Sequence, residues 1–169
     1  MKKIVITGAL GYIGMELCKI YSGKSLNYDV LAIDNKFYSA RVNQLNSWNI
    51  KFKQLDILDL KAINQDLENA DIVFHLAGIT DVPTIKSNEN KSINEKIKNT
   101  AIKGTNNVLN SIGDNTKLVF PSTHVIFEGL NNQKKIIKEE NKPRPVLTYS
   151  SSKFQNEIDI KNSSKNYVI

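Results

Sequence analysis

Short β-rich runs alternate with longer stretches of helical periodicity along the chain. Lys3-Ile4-Val5-Ile6-Thr7 is almost continuously apolar and predicts a buried first strand. Residues 12–21 follow with Ile13, Leu17, Ile20 and Tyr21 at helical spacing, which predicts a helix with those four on its apolar face. The run 29–34 predicts a second strand, and 51–55 a shorter third. A helix over 59–69 and a strand over 71–76 come next. Ile93, Ile97, Val108, Leu109 and Ile112 then mark a long helix over 92–112. Residues 117–120 predict another strand, 149–160 a last helix, and Tyr167-Val168-Ile169 the opening of a sixth strand.

Strands that alternate with helices of this length imply right-handed βαβ crossovers and therefore a parallel sheet. Nearly continuous apolar strands imply helices on both faces. The expected fold class is α/β, a doubly wound parallel sheet of the Rossmann type, with residues 1–169 forming one domain. The segment 128–144, with Gly129, Asn131, Asn132 and a lysine–glutamate cluster before Pro143 and Pro145, is the flexible region to expect.

Composition changes this picture little. A hydrophobic share of 40% and a charged share of 24% match an ordinary globular domain. No apolar run approaches the ~20 residues that span a bilayer, and the first apolar run is too short for a signal peptide. Cys18 is the one cysteine, so an internal disulfide and a cysteine-built metal site are excluded and a cytoplasmic setting is expected. The net charge of +6 suggests nucleic acid, but the lysines are scattered and Arg41 and Arg144 are the only arginines. No basic run alternates with aromatics, so no nucleic-acid partner is expected. His75 and His124 each end a strand without an acidic or cysteine cluster at ligand spacing, so no metal site is expected.

The chemistry lies in three places. Gly8, Gly11 and Gly14 are spaced by three residues directly after a strand and at the opening of a helix. A dinucleotide pyrophosphate needs that pattern. One glycine makes the tight turn, one admits the phosphates to the backbone, and one lets helix and strand pack closely while free N–H groups at the helix start bind the anion. Asp34 ends the second strand about twenty residues beyond Gly14, where a carboxylate accepts from the adenosine ribose hydroxyls and repels a 2′-phosphate, favouring NAD over NADP. Tyr149 and Lys153 stand four residues apart and share a helix face. A nearby ammonium favours phenolate, so the tyrosine pKa is expected to be lowered.

Taken together the chain resembles the extended short-chain dehydrogenase/reductases, specifically the NAD-dependent epimerase/dehydratase family of nucleotide-sugar enzymes. The resemblance runs from Thr7-Gly8-Ala9-Leu10-Gly11-Tyr12-Ile13-Gly14 to Tyr149-Ser150-Ser151-Ser152-Lys153. Between them, Leu55-Asp56-Ile57-Leu58-Asp59 is similar to the adenine-contacting segment, and His75-Leu76-Ala77-Gly78 to the segment that passes the cofactor. Phe120-Pro121-Ser122-Thr123-His124-Val125-Ile126-Phe127 is similar to the fifth strand and its catalytic hydroxyl, which falls on Thr123. The resemblance implies Thr123, Tyr149 and Lys153 as catalytic residues. It implies NAD held by Gly8, Gly11, Tyr12, Ile13, Gly14, Asp34, Asp56, Ile57, Leu76, Ala77 and Gly78 together with Tyr149 and Lys153. It also implies a nucleotide-sugar substrate, no membrane, and a homodimer.

Three departures refine it. Ala101 stands where the family often has asparagine, and Glu128 where it commonly has glycine after the aromatic. His124 and Val125 replace the acidic pair usual in 4,6-dehydratases, so an epimerase working through a transient keto-sugar is the expected reaction. The chain ends within an apolar run, so the substrate-binding C-terminal part is expected to be missing and the domain truncated. The alternative is an NAD-binding sensor or an inactive cofactor-binding fragment.

Overall fold

Both faces of the first strand are apolar, and the architecture follows from covering both. A computed structural model of the chain describes residues 1–24, 27–80, 91–130 and 136–169. Along β1 (Lys2–Thr7) and β2 (Tyr28–Asp34) successive side chains enter opposite cores. Ile4, Ile6, Val30 and Ala32 pack on one side with Leu10, Cys18, Val42 and Leu45. Val5, Leu31 and Ile33 pack on the other with Ile63, Leu67, Val108 and Ile160.

The elements run β1, α1 (Tyr12–Ser22), β2, α2 (Ser39–Ser47), β3 (Lys51–Gln54), α3 (Leu60–Leu67), β4 (Ile72–His75), α4 (Lys91–Ser111), β5 (Lys117–Val119), α5 (Thr148–Asn162) and β6 (Asn166–Val168). A short 3-10 turn, His124–Phe127, lies between β5 and α5. The described strands form one sheet in the order β3-β2-β1-β4-β5-β6, every pairing parallel. Helices α1 and α2 cover one face, and α3, α4 and α5 the other. This is the doubly wound Rossmann-type sheet expected from the alternation.

One expectation holds only in part, and one helix leaves no reading in the sequence. Of the four residues expected on the inner face of α1, Leu17 and Tyr21 pack against the core and Ile13 and Ile20 do not. Ile13 and Ile20 are 57% and 56% exposed, while Gly14 and Cys18 are buried. Helix and strand approach so closely at Gly14 that a small residue must face inward, and the turn follows that contact. Helix α2 carries no strong apolar period, because it buries only Val42 and Leu45 among polar neighbours, and so leaves no clear signal in the sequence. Trp48, at its C-terminal end, packs against the same core.

The segment 128–144 also departs from expectation at its described ends. The Gly129 N–H donates to the Arg144 carbonyl, and the Arg144 N–H to the Ile126 carbonyl, each at 2.9 Å. Residues 131–135, including Asn131 and Asn132, lie outside the described residues.

Local chemistry fixes the helix starts that matter. Asp59 caps α3 by accepting from the Ala62 N–H at 3.1 Å, satisfying a donor with no partner within the helix. Asp59→Ala is expected to lower stability by about 1 kcal/mol without altering the sheet, as urea unfolding followed by circular dichroism would measure.

Candidate functional site

The site forms where the chain reverses direction across the sheet. From β1 it winds outward to β2 and β3, then returns to β4 on the other side of β1. The crossovers diverge at the C-terminal ends of β1 and β4 and leave a crevice, the place where doubly wound sheets bind ligands. A cavity of about 450 Å³ occupies it.

The glycine turn makes its floor. Gly8 adopts φ +68°, and a Cβ there would lie 2.6 Å from the Ala77 nitrogen. A Cβ on Gly14 would lie 2.5 Å from the Gly8 carbonyl oxygen. Both positions therefore require glycine, since a side chain would displace backbone. Gly11 starts α1, and no side chain caps the helix there. The first N–H groups of α1 are thus free to meet an anion.

Asp34 closes the far end of the cavity. One carboxylate oxygen accepts from the Leu10 N–H and the other from the Lys36 N–H, each at 3.0 Å. These bonds fix the carboxylate beside the glycine turn. The Arg41 guanidinium donates to the Leu10 carbonyl and stands over the Tyr38 ring, 5.5 Å from its centroid. Asp56 holds its own loop by accepting from the Leu58 N–H at 2.9 Å and from Asn35 at 3.3 Å. Ile57 reaches the cavity wall, yet nearly all of it is buried in the core against Gly104.

A buried histidine ties this floor to the rest of the sheet. Thr7 and His75 are register partners on β1 and β4. The His75 Nδ1 lies 2.8 Å from the Thr7 hydroxyl, and its Nε2 3.0 Å from the Thr105 hydroxyl on α4. The Thr7 hydroxyl also accepts from the Ala77 N–H at 3.3 Å. Burial, reinforced by the Lys153 ammonium nearby, pushes the imidazole pKa down to about 3. A neutral ring has one donor and one acceptor nitrogen, so it satisfies one threonine in each sense.

The second cluster lies beyond β5. Thr123 opens the 3-10 turn, its hydroxyl accepting from the Val125 N–H at 3.3 Å, and it lies close enough to the Tyr149 phenol to act on its pKa. Tyr149 lies in the first turn of α5, with Lys153 one turn on. The Lys153 ammonium donates to the Pro121 carbonyl at 3.0 Å and lies 4.2 Å from the Phe120 ring centroid. The expected lowering of the tyrosine pKa is not what the structure gives. Burial raises the Tyr149 pKa above its ordinary value, with Thr123 acting the other way. Burial also pushes Lys153 down to about 8. In each case burial removes the group from water and disfavours its charged form.

Of the residues read from the sequence, Gly8, Gly11, Asp34, Asp56, Ile57, Leu76, Ala77 and Gly78 all line the one cavity. Gly14 supports it from beneath. Tyr12 and Ile13 stand at the start of α1 with side chains 83% and 57% exposed, outside the cavity wall. Thr123, Tyr149 and Lys153 form their own cluster beside it, joined through the proximity of Lys153 and His75. Arg41 and the structural use of His75 were not legible in advance. Arg41 lies on the weakly patterned α2, although as one of two arginines it carried a compositional hint. Among the described residues no group of His, Cys, Asp or Glu could hold a metal ion, and no helix is long and apolar enough to cross a membrane.

The sheet order and the glycine-floored crevice together define a doubly wound α/β protein of the Rossmann type. The pattern of the NAD dependent epimerase/dehydratase family matches residues 4–169, and the chain belongs to that family. A dTDP-D-glucose 4,6-dehydratase of Dictyostelium discoideum is 30% identical over 172 residues, covering 90% of this chain and 38% of the relative. A UDP-N-acetyl-alpha-D-glucosaminuronate decarboxylase of Bacillus cytotoxicus is 30% identical over 129 residues, covering 75% of the chain and 38% of the relative. Among solved structures, the UDP-Glc/GlcNAc 4-epimerase of Campylobacter jejuni superposes with a TM-score of 0.81 at 20% identity, over 99% of this chain and 52% of that one. The UDP-glucuronic acid 4-epimerase of Bacillus cereus, in complex with UDP-glucuronic acid and NAD, gives 0.76 at 26% identity, over 99% and 55%. The chain thus spans 38% of the length of these two curated relatives and about half that of the structural neighbours.

His75 gives this site an acid limit. Between pH 6.5 and about 3 the unfolded chain binds a proton that the folded chain refuses. Stability is therefore full above 6.5 and falls as pH drops through that window, by on the order of a few kcal/mol. Urea unfolding from pH 7 to pH 4 is expected to show a steep decline in the wild type and a shallower one in His75→Gln.

Proposed function

We propose that this chain is the NAD-binding part of an oxidoreductase acting on a nucleotide-sugar, and that the reaction is an epimerisation through a transient keto-sugar. The observation that carries the reading is the proximity of Thr123 to Tyr149, with Lys153 one turn on along the same helix, together with a cavity floored by Gly8.

The cavity fits the cofactor. The floor at Gly8 and Gly14 is a cradle that a Cβ would fill, and the uncapped start of α1 offers N–H groups to a pyrophosphate. Asp34 would accept from the adenosine ribose hydroxyls, and its charge opposes a 2′-phosphate, which favours NAD over NADP. Tyr12 and Ile13 would contribute backbone N–H groups, not side chains. Asp56 and Ile57 would shape the adenine end, and Leu76, Ala77 and Gly78 the wall along which the cofactor lies. When bound, NAD supplies a hydride acceptor on oxidation and a donor on return.

The protein residues manage the proton. Tyr149 would take the proton of a substrate hydroxyl at its phenol oxygen and return it from the same atom. Thr123 would hydrogen-bond the reacting oxygen and hold it against Tyr149. Lys153 would hold the nicotinamide ribose, and its charge beside the phenol would favour phenolate once the site is engaged. His124 and Val125, directly after Thr123, offer no carboxylate for the elimination that a dehydratase needs, which is why epimerisation is preferred. The relatives act on dTDP- and UDP-linked sugars, which supports a nucleotide-sugar as the substrate class. A homodimer and a cytoplasmic setting accord with the same family reading.

Two measurements test this. Calorimetric titration is expected to show NAD binding tighter than NADP, and Asp34→Ala is expected to weaken NAD by roughly ten-fold, the effect of losing a hydrogen bond to a charged group. Equal binding of both cofactors by the wild type would reject the role given to Asp34. With a panel of UDP-, GDP- and dTDP-sugars, the protein that contains this chain is expected to convert at least one to its epimer, with NADH absorbance appearing only transiently. Tyr149→Phe is expected to lose ~10²–10⁴ of that rate while retaining its NAD affinity.

A further inference from the structure

The helix that carries Tyr149 and Lys153 starts without a cap of its own. Leu147 occupies the capping position of α5, and it has no side-chain hydrogen bond to give. The partner comes instead from eighteen or more residues earlier. A single carboxylate oxygen of Glu128 accepts from the Val146 N–H and the Leu147 N–H, each at 2.7 Å, and from the buried Ser150 hydroxyl. Tyr149 lies between two of these partners in sequence.

Glu128 is itself the residue that closes the 3-10 turn opened by Thr123, its N–H donating to the Val125 carbonyl. The two backbone bonds between 126–129 and Arg144 fasten the same two strands of chain together a few residues away. One carboxylate therefore spans the turn that carries Thr123 and the helix start that carries Tyr149. Burial acts to raise the Glu128 pKa, but the hydrogen bonds from Ser150, Leu147 and Val146 outweigh it and hold the carboxyl below its ordinary value.

From this geometry we infer that Glu128 is a positioning residue for the proton-transfer pair, setting the separation of Thr123 and Tyr149 through the start of α5. It touches no reacting atom. Its effect reaches Tyr149 by fixing the helix turn from which the phenol projects, and a loosened turn would both expose the phenol and free it from Thr123.

The inference rests on the role proposed for Tyr149, and the experiment separates the two. With 13C-labelled tyrosine rings, the Tyr149 signal is assigned by its absence in Tyr149→Phe. It is then titrated with pH in the wild type, Glu128→Ala, Glu128→Gln and Ser150→Ala. Glu128→Ala is expected to shift the signal and bring its titration down toward the ordinary phenol value of 10.0, because burial is the larger cause of its elevation. Glu128→Gln, which keeps an acceptor oxygen in place, is expected to stay at the wild-type position. Ser150→Ala, which removes one bond of three, is expected to move the same way by less. It serves as the decisive variant if Glu128→Ala does not fold.

A Tyr149 titration unchanged in folded Glu128→Ala or Ser150→Ala would overturn the inference, even with a lowered melting temperature. So would a Glu128→Gln that behaves like alanine, since charge and not position would then be acting. An NAD titration of the wild type runs alongside. Failure to bind NAD would remove the proposed function while leaving the link from Glu128 to Tyr149 measured in its own right.

Discussion

The approach of the Gly8 turn to the backbone at Leu76 and Ala77 is the contact on which the rest of the structure depends. With a Cβ at Gly8 only 2.6 Å from the Ala77 nitrogen, the turn after β1 and the exit from β4 cannot both stay in place unless the residue is glycine. That proximity makes the floor of the crevice. It also brings the Ala77 N–H to the Thr7 hydroxyl, and through it to His75 and Thr105. A polar network at 0–1% exposure stabilises only if every member is satisfied, since a lone buried donor costs about 1–3 kcal/mol. The neutral imidazole meets that requirement, which is why burial and the low imidazole pKa belong together. The same network sets α4 against β1 and β4, so the glycine floor and the helical layer share one set of constraints.

Legibility in the sequence followed the strength of the local pattern. The strands were readable because a parallel strand buried on both faces is apolar at every position, as Ile4 to Ile6 and Val30 to Ile33 are. The glycine turn was readable because its requirement is steric and admits few substitutes. Helix α2 was not, since a helix that buries two residues needs no apolar period. The inward face of α1 was misread at Ile13 and Ile20 for a related reason. Hydrophobic size normally marks the buried face, but at a close approach the smallest residue faces inward and Ile13 is turned to solvent. Arg41 and Glu128 share a third cause: each acts on backbone groups distant in sequence, Leu10 for one and Val146 and Leu147 for the other. A side chain that satisfies a remote carbonyl or N–H leaves no periodic trace.

The electrostatics of the second cluster were misjudged for a reason that bears on mechanism. A charged lysine close to a tyrosine lowers the phenol pKa by attraction, while burial acts on each group separately and disfavours its charged form. Here the tyrosine is half-buried and the lysine lies under β5, so desolvation raises one group and lowers the other. Both shifts favour the uncharged form. The resting pair is therefore set to hold a proton on the phenol oxygen, with Thr123 the one partner that favours its release. For the proposed chemistry this is a restraint. The phenol must lose its own proton before it can accept that of a substrate hydroxyl, so burial opposes the proposed oxidation until a nearby positive charge offsets it. The placement of Tyr149 near Thr123 then matters, because among the described residues Thr123 is the group that acts against burial on the phenol. In such a site the residues that fix the helix start control the chemistry as surely as those that touch the substrate.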